Sequence, residues 1–101
     1  MKILQTNASS GFRVLAGTDL SQAASMTLPA GASTGGPDNR HAQSDQWIYV
    51  VAGSGTAVVE GEEHKLEAGS LLLIEAGEGH EISVTGDHPL QTISIYAPPE
   101  Y

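Results

Sequence analysis

Apolar residues recur along the chain in short runs, some continuous and some alternating with polar positions, and clusters of turn formers separate them. This pattern predicts strands over 12–16, 23–28, 46–52, 55–60, 63–66, 71–74, 80–84 and 91–96. The punctuation between them is Gly17-Thr18-Asp19, Pro29-Ala30-Gly31, Gly53-Ser54-Gly55, Glu60-Gly61, Ala68-Gly69, Gly77-Glu78-Gly79 and Gly86-Asp87. Short strands about 8–12 residues apart with such turns indicate a sandwich or a barrel. The sole helix candidate, 19–26, lacks an apolar stripe, so the chain reads as all-β.

Two strands place polar side chains on an apolar face. In His80-Glu81-Ile82-Ser83-Val84 the two-residue period puts His80 beside Ile82 and Val84, pointing inward. A core histidine satisfied by one hydrogen bond would look the same. Over 46–52, Gln46 shares a face with Ile48, Val50 and Ala52, and Trp47, Tyr49 and Val51 share the other. Both faces are apolar, as in a strand covered on two sides, and the Trp47/Tyr49 face suits a sheet or subunit contact. If the first face is the inner one, Gln46 enters the same interior as His80 and needs a polar partner there.

The segment 31–45 is polar, irregular and long for so small a chain, which favours a functional loop over a bland one. It contains His41, which makes with His80 a pair of imidazoles distant in sequence. His64 and His88 sit in turn-like polar surroundings and read as solvated. Glu78 and Glu81 fall in a turn or on the outward parity, so they are no acid–base pair. No Gly-rich segment leads into a helix, and no Ser/His/Asp arrangement is present. The prolines of 97–101 stop the last strand and lay the tail over the barrel or over a neighbouring subunit.

Composition narrows the field. The 101 residues are within the size of one domain, 1–101. Such a chain buries little more than ~60% of its unfolded surface, so a partner subunit is expected. Four Lys and Arg stand against twelve Asp and Glu, a formal charge of −8, which leaves no basic face for nucleic acid or an anionic membrane. With no cysteine there are neither disulfides nor thiolate ligands. The first residues lack the apolar core of a signal peptide, and no apolar run is long enough to span a bilayer. The expected setting is the cytoplasm.

The stretch from Asn39-Arg40-His41 through Gln46 to Gly53-Ser54-Gly55 resembles the first motif of the cupins, a His-x-His pair ahead of a Glu, with a Gly closing the hairpin. Gly69, Gly77 and His80 resemble the second motif, whose Gly residues precede a third His. The resemblance spans roughly 25–97 and implies a double-stranded β-helix, the jelly-roll barrel. By position His80 falls on the second-motif His, Gln46 on the Glu, His41 on the second His of the pair and Asn39 on the first. A shift of register in the loop would instead bring Gln43 or Asp45 inward. The resemblance therefore implies a divalent transition metal (zinc, nickel, manganese or iron) on Asn39, His41, Gln46 and His80, in a set weakened by amides where carboxylate and imidazole are usual. Asp45 or an anionic ligand would supply the missing negative charge. A small polar or anionic molecule is expected in the interior, on Gln46 and His80. Arg40 is placed to grip it at the rim unless it is a solvated loop arginine.

Three functions compete: an enzyme acting through the barrel interior, a metal-free binding or sensing module without catalysis, and a barrel whose inner polar groups satisfy one another. The expected assembly is a bacterial homodimer, joined through a sheet edge or the Trp47/Tyr49 face.

Overall fold

The computed structural model describes residues 1–6, 11–35 and 41–101. Asn39 and Arg40 lie outside the described residues. Eight strands are described: β1 (Gly11–Gly17), β2 (Gln22–Leu28), β3 (Asp45–Ala52), β4 (Ser54–Val59), β5 (Glu62–Glu67), β6 (Leu71–Ile74), β7 (His80–Val84) and β8 (Leu90–Ala97). They match the eight expected runs with ends displaced by a residue or two. Where a helix was conceivable, Thr18–Ser21 forms a tight turn and β2 follows.

All pairings are antiparallel. One sheet has the order β1-β2-β8-β3-β6 and the other β5-β4-β7. The two sheets close on a core to which both contribute. Ile48, Val50, Ile74 and Leu90 come from the first, Ala57, Leu66, Ile82 and Val84 from the second. This is the all-β barrel that the sequence predicts. Among the described residues no helix is long and apolar enough to cross a membrane.

Two turns depend on backbone that side chains resist. Glu60 and Gly61 both have positive φ, 47° and 80°, and join β4 to β5 through a two-residue hairpin loop closed by Val59 and Glu62. Such loops match the right-handed twist of the strands they join. At Gly53, φ is 92° and a Cβ would collide with the carbonyl oxygen of Pro89. That close approach holds the β3–β4 turn against the start of β8.

Register decides what enters the barrel. Tyr96 of β8 pairs with Gln22 of β2 on one side and Gln46 of β3 on the other, so three polar residues stand abreast. All three are buried, at 3%, 8% and 4% exposure. Further along the same strands lie Val50 and Leu90, both fully buried. β7 repeats the gradient, from buried His80 at its start to Val84 at its end. One end of the interior is therefore polar and the other apolar.

Candidate functional site

Each element carries one polar group to the same place. The inward parity of β3 delivers Gln46, and that of β7 delivers His80. His41 precedes β3 and is fixed by its backbone, whose carbonyl accepts a hydrogen bond from the Gly77 N–H at 2.9 Å. The His41 and His80 rings, 39 positions apart in the chain, meet with centroids 5.1 Å apart. Part of the long loop also has a fixed place. Ala32 and Thr34 hydrogen-bond the free edge of β7, and the Thr34 hydroxyl accepts from the Ile82 N–H at 2.9 Å.

These groups line a cavity of about 180 Å³. Its polar side is His41, Gln46, His80 and Tyr96, and its apolar wall includes Phe12, Met26, Leu28 and Ile82. A larger cleft of about 560 Å³ runs outside the barrel along β5 and β6, lined by Glu62, His64 and Lys65 among others. The smaller cavity carries the chemistry, because its polar groups are buried and converge, whereas His64 and Glu62 are exposed and sit 3.8 Å apart.

The hydrogen bonds settle which atoms remain free. The Nδ1 of His80 lies 3.3 Å from the carbonyl oxygen of Glu78, which can only accept, so the proton belongs on Nδ1 and the Nε2 lone pair is left for another partner. Burial pushes His80 below the usual histidine value, and the neighbouring His41 adds to that. The Glu78 carbonyl and carboxylate oppose it. His41 is only 8% exposed, with its Nδ1 3.2 Å from Oε1 of Glu100. Gln46 donates through Nε2 to the Ser94 hydroxyl at 3.2 Å and the Tyr96 hydroxyl at 3.1 Å. Its Oε1 is buried with no partner, the only such side-chain atom among the described residues. Burial and the adjacent Tyr101 hydroxyl hold the Tyr96 phenol protonated well above the usual tyrosine range.

An unpaired buried amide oxygen is unfavourable by about 1–3 kcal/mol. A transition-metal ion bonds to oxygen and imidazole nitrogen at about 2.0–2.2 Å, so it is one partner such an atom can take. The donor set is two imidazoles and an amide oxygen. Among the described residues no group of three His, Cys, Asp or Glu is placed to hold a metal. Neither alternative register applies: Gln43 is exposed, and exposed Asp45 instead accepts from the Ala76 N–H at 2.9 Å through Oδ1. Asp45 thus caps a turn rather than supplying charge to the interior.

The sequence reading missed Gln22, Ser94, Tyr96, Glu100 and Tyr101, all of which touch the site or its closure. One signal was available for two of them. On β8 the period-2 pattern sets Thr92, Ser94 and Tyr96 against Ile93 and Ile95, and here the polar set faces inward.

The profile of the cupin domain matches residues 24–96. The chain belongs to the cupin family. Cupins commonly bind divalent metals. This cupin is 29% identical over 72 residues to the oxalate-binding protein of Thermotoga maritima, covering 71% of this chain and 58% of that protein. It is 31% identical over 61 residues to the tetracenomycin polyketide synthase protein TcmJ of Streptomyces glaucescens, covering 60% of this chain and 41% of the relative. The chain thus spans about half the length of these curated relatives. A solved structure from Bacillus halodurans superposes with a TM-score of 0.88 at 28% identity, covering 94% of this chain and 75% of that one. The comparisons establish the double-stranded β-helix.

Proposed function

We propose that this cupin holds a divalent transition metal on His41 and His80, with Gln46 as third donor, and takes a small polar or anionic molecule beside it. The observation that carries this reading is two buried imidazoles whose rings lie 5.1 Å apart in a cavity also lined by Gln46, whose amide oxygen has no partner. A bound metal would act as a Lewis acid toward an oxygen of that molecule. The chain's own groups would orient it: Tyr96 stays a neutral phenol, and the apolar wall excludes water. The oxalate-binding relative supports a small oxygen-rich ligand. Asn39 and Arg40 are kept in the proposal as a further donor and a rim contact.

A metal-free version of the same binding site is the second reading. It is favoured by the amide at position 46, which leaves a divalent charge less compensated than a carboxylate would. In both readings we propose a homodimer in a bacterial cytoplasm; the bacterial sources of its relatives support the bacterial origin. Trp47, Tyr49, Val51, Leu71, Leu73 and Ile95 are all between 38% and 62% exposed on the outer face of the larger sheet. Contiguous apolar patches of this kind mark contact surfaces.

Elemental analysis of the purified protein, repeated after incubation with zinc, nickel, manganese and iron(II), tests the reading. About one metal per chain, lost in His41→Ala and His80→Ala, supports it. No metal uptake by the unaltered protein would leave the metal-free reading in its place.

A further inference from the structure

The residues after β8 are held at Pro98, Glu100 and Tyr101. The Ser44 hydroxyl donates to the Pro98 carbonyl at 2.7 Å. Gln22, at 8% exposure, holds the last two residues: its Oε1 accepts from the N–H groups of Glu100 at 3.3 Å and Tyr101 at 2.9 Å, and its Nε2 donates to the Tyr101 backbone oxygen at 2.7 Å. The Tyr101 ring packs on Phe12 at 4.8 Å and Tyr96 at 5.3 Å, and edge-on to His41 at 6.2 Å. Tyr101 is thereby part of the cavity wall. The same clamp brings Oε1 of Glu100 to 3.2 Å from His41 Nδ1, with the Glu100 side chain 27% exposed.

We infer that residues 98–101 form a strap that closes the cavity, and that Glu100 is a positioning residue which fixes the His41 ring and supplies the carboxylate absent at Gln46. The inference rests on the metal reading above and deepens it. A carboxylate beside Nδ1 draws the ring proton to that nitrogen and leaves Nε2 as the ligand atom. Outer carboxylate partners of this kind orient ligating histidines and raise their basicity. The negative charge also offsets part of a divalent ion's charge without entering the coordination shell. His80 is fixed in the same sense by the Glu78 carbonyl, so both imidazoles present the same nitrogen. Tyr101 makes the strap a door as well. A ligand entering between Phe12 and Tyr96 would meet the Tyr101 ring, which packs on both.

Zinc titration calorimetry and chelator-driven release would be run on the unaltered protein, Glu100→Ala and Gln22→Ala, with the His41 ring proton located by nitrogen NMR in the metal-free forms. The strap predicts that Glu100→Ala weakens zinc binding by about 10–100-fold. It also predicts that the variant shifts the proton away from Nδ1, with the melting temperature nearly unchanged. Gln22→Ala should release zinc several-fold faster. Unaltered affinity together with an unaltered proton position in Glu100→Ala would overturn the inference. If the unaltered protein binds no zinc, the metal reading fails, and the NMR decides alone: a proton that moves in Glu100→Ala retains Glu100 as the positioning residue, and one that stays removes it.

Discussion

The two ends of the barrel interior are built from the same strands and behave as opposites. At one end β3, β7 and β8 contribute Val50, Val84 and Leu90 to an apolar cluster, beside which the polar neighbour Thr92 satisfies its hydroxyl on the Met26 carbonyl. At the other they contribute Gln46, His80 and Tyr96, of which Gln46 donates to the Ser94 and Tyr96 hydroxyls, His80 meets the Glu78 carbonyl, and one amide oxygen stays unpaired. The first end supplies stability, because apolar burial stabilises wherever it occurs. The second sacrifices some of it by keeping polar groups in low dielectric, an arrangement that suits a site better than a core. A small domain can carry such a site because the apolar end and the two sheets hold it in place.

Substitutions at the apolar end should have the largest effect on folding. Ile48→Ala, at a fully buried position, should lower stability by about 2–5 kcal/mol. Metal bound per folded chain should not change. Denaturant unfolding and zinc stoichiometry, measured on the same sample, check both halves. His80→Ala should show the reverse pattern, with zinc lost and a smaller loss of stability.

Gln46→Glu sharpens the contrast from the polar side. A buried carboxylate there has no cation to meet in the metal-free protein, so the apo form should melt lower, by an amount corresponding to about 1–3 kcal/mol. With zinc the same carboxylate compensates the ion, and binding should tighten by at least about tenfold. Thermal unfolding with and without zinc reads both effects. A variant destabilised equally in the two conditions would count against a metal between the histidines.

Acid should weaken the polar end first. Burial lowers the His80 pKa in the folded protein below the 6.5 of the unfolded chain, so the unfolded state binds the proton more readily. The contribution of His80 to stability is therefore complete above about pH 6.5 and is lost as the pH falls through the lowered folded value. Melting temperatures of the metal-free protein from pH 7.5 down to 5 should decline, and the decline should be shallower in His80→Ala.

The smallest effect on the fold is expected on the outer face. Trp47→Glu, at 42% exposure, should leave zinc binding intact and shift a dimer toward monomer in sedimentation.

How much of this was legible in the sequence follows from the same contrast. The strands and the inward parity of His80 were readable because β7 carries aliphatic residues on one face only. β3, by contrast, is apolar on both faces and left the side taken by Gln46 open until the structure placed it inside. β8 misleads. Its isoleucines would ordinarily be assigned to the interior, yet Ile95 is 38% exposed while Thr92 and Ser94 are 2% exposed. A barrel whose inside is partly polar and whose outer sheet face is apolar inverts the usual cue. Glu100 and Tyr101 were hidden for another reason. Their place depends on Gln22, 78 and 79 positions away, and no local pattern encodes a contact at that distance. Asn39 and Arg40 belong to the expected site but lie outside the described residues.

The central claim is that the buried imidazoles and the unpaired amide oxygen form one metal centre. A crystal structure of the zinc-soaked protein, with anomalous scattering recorded at the zinc edge, tests it most directly. The account predicts a single strong peak within bonding distance of Nε2 of His41 and Nε2 of His80, with Oε1 of Gln46 turned toward it. A peak at exposed His64 or His88, or an interior without one, would contradict it.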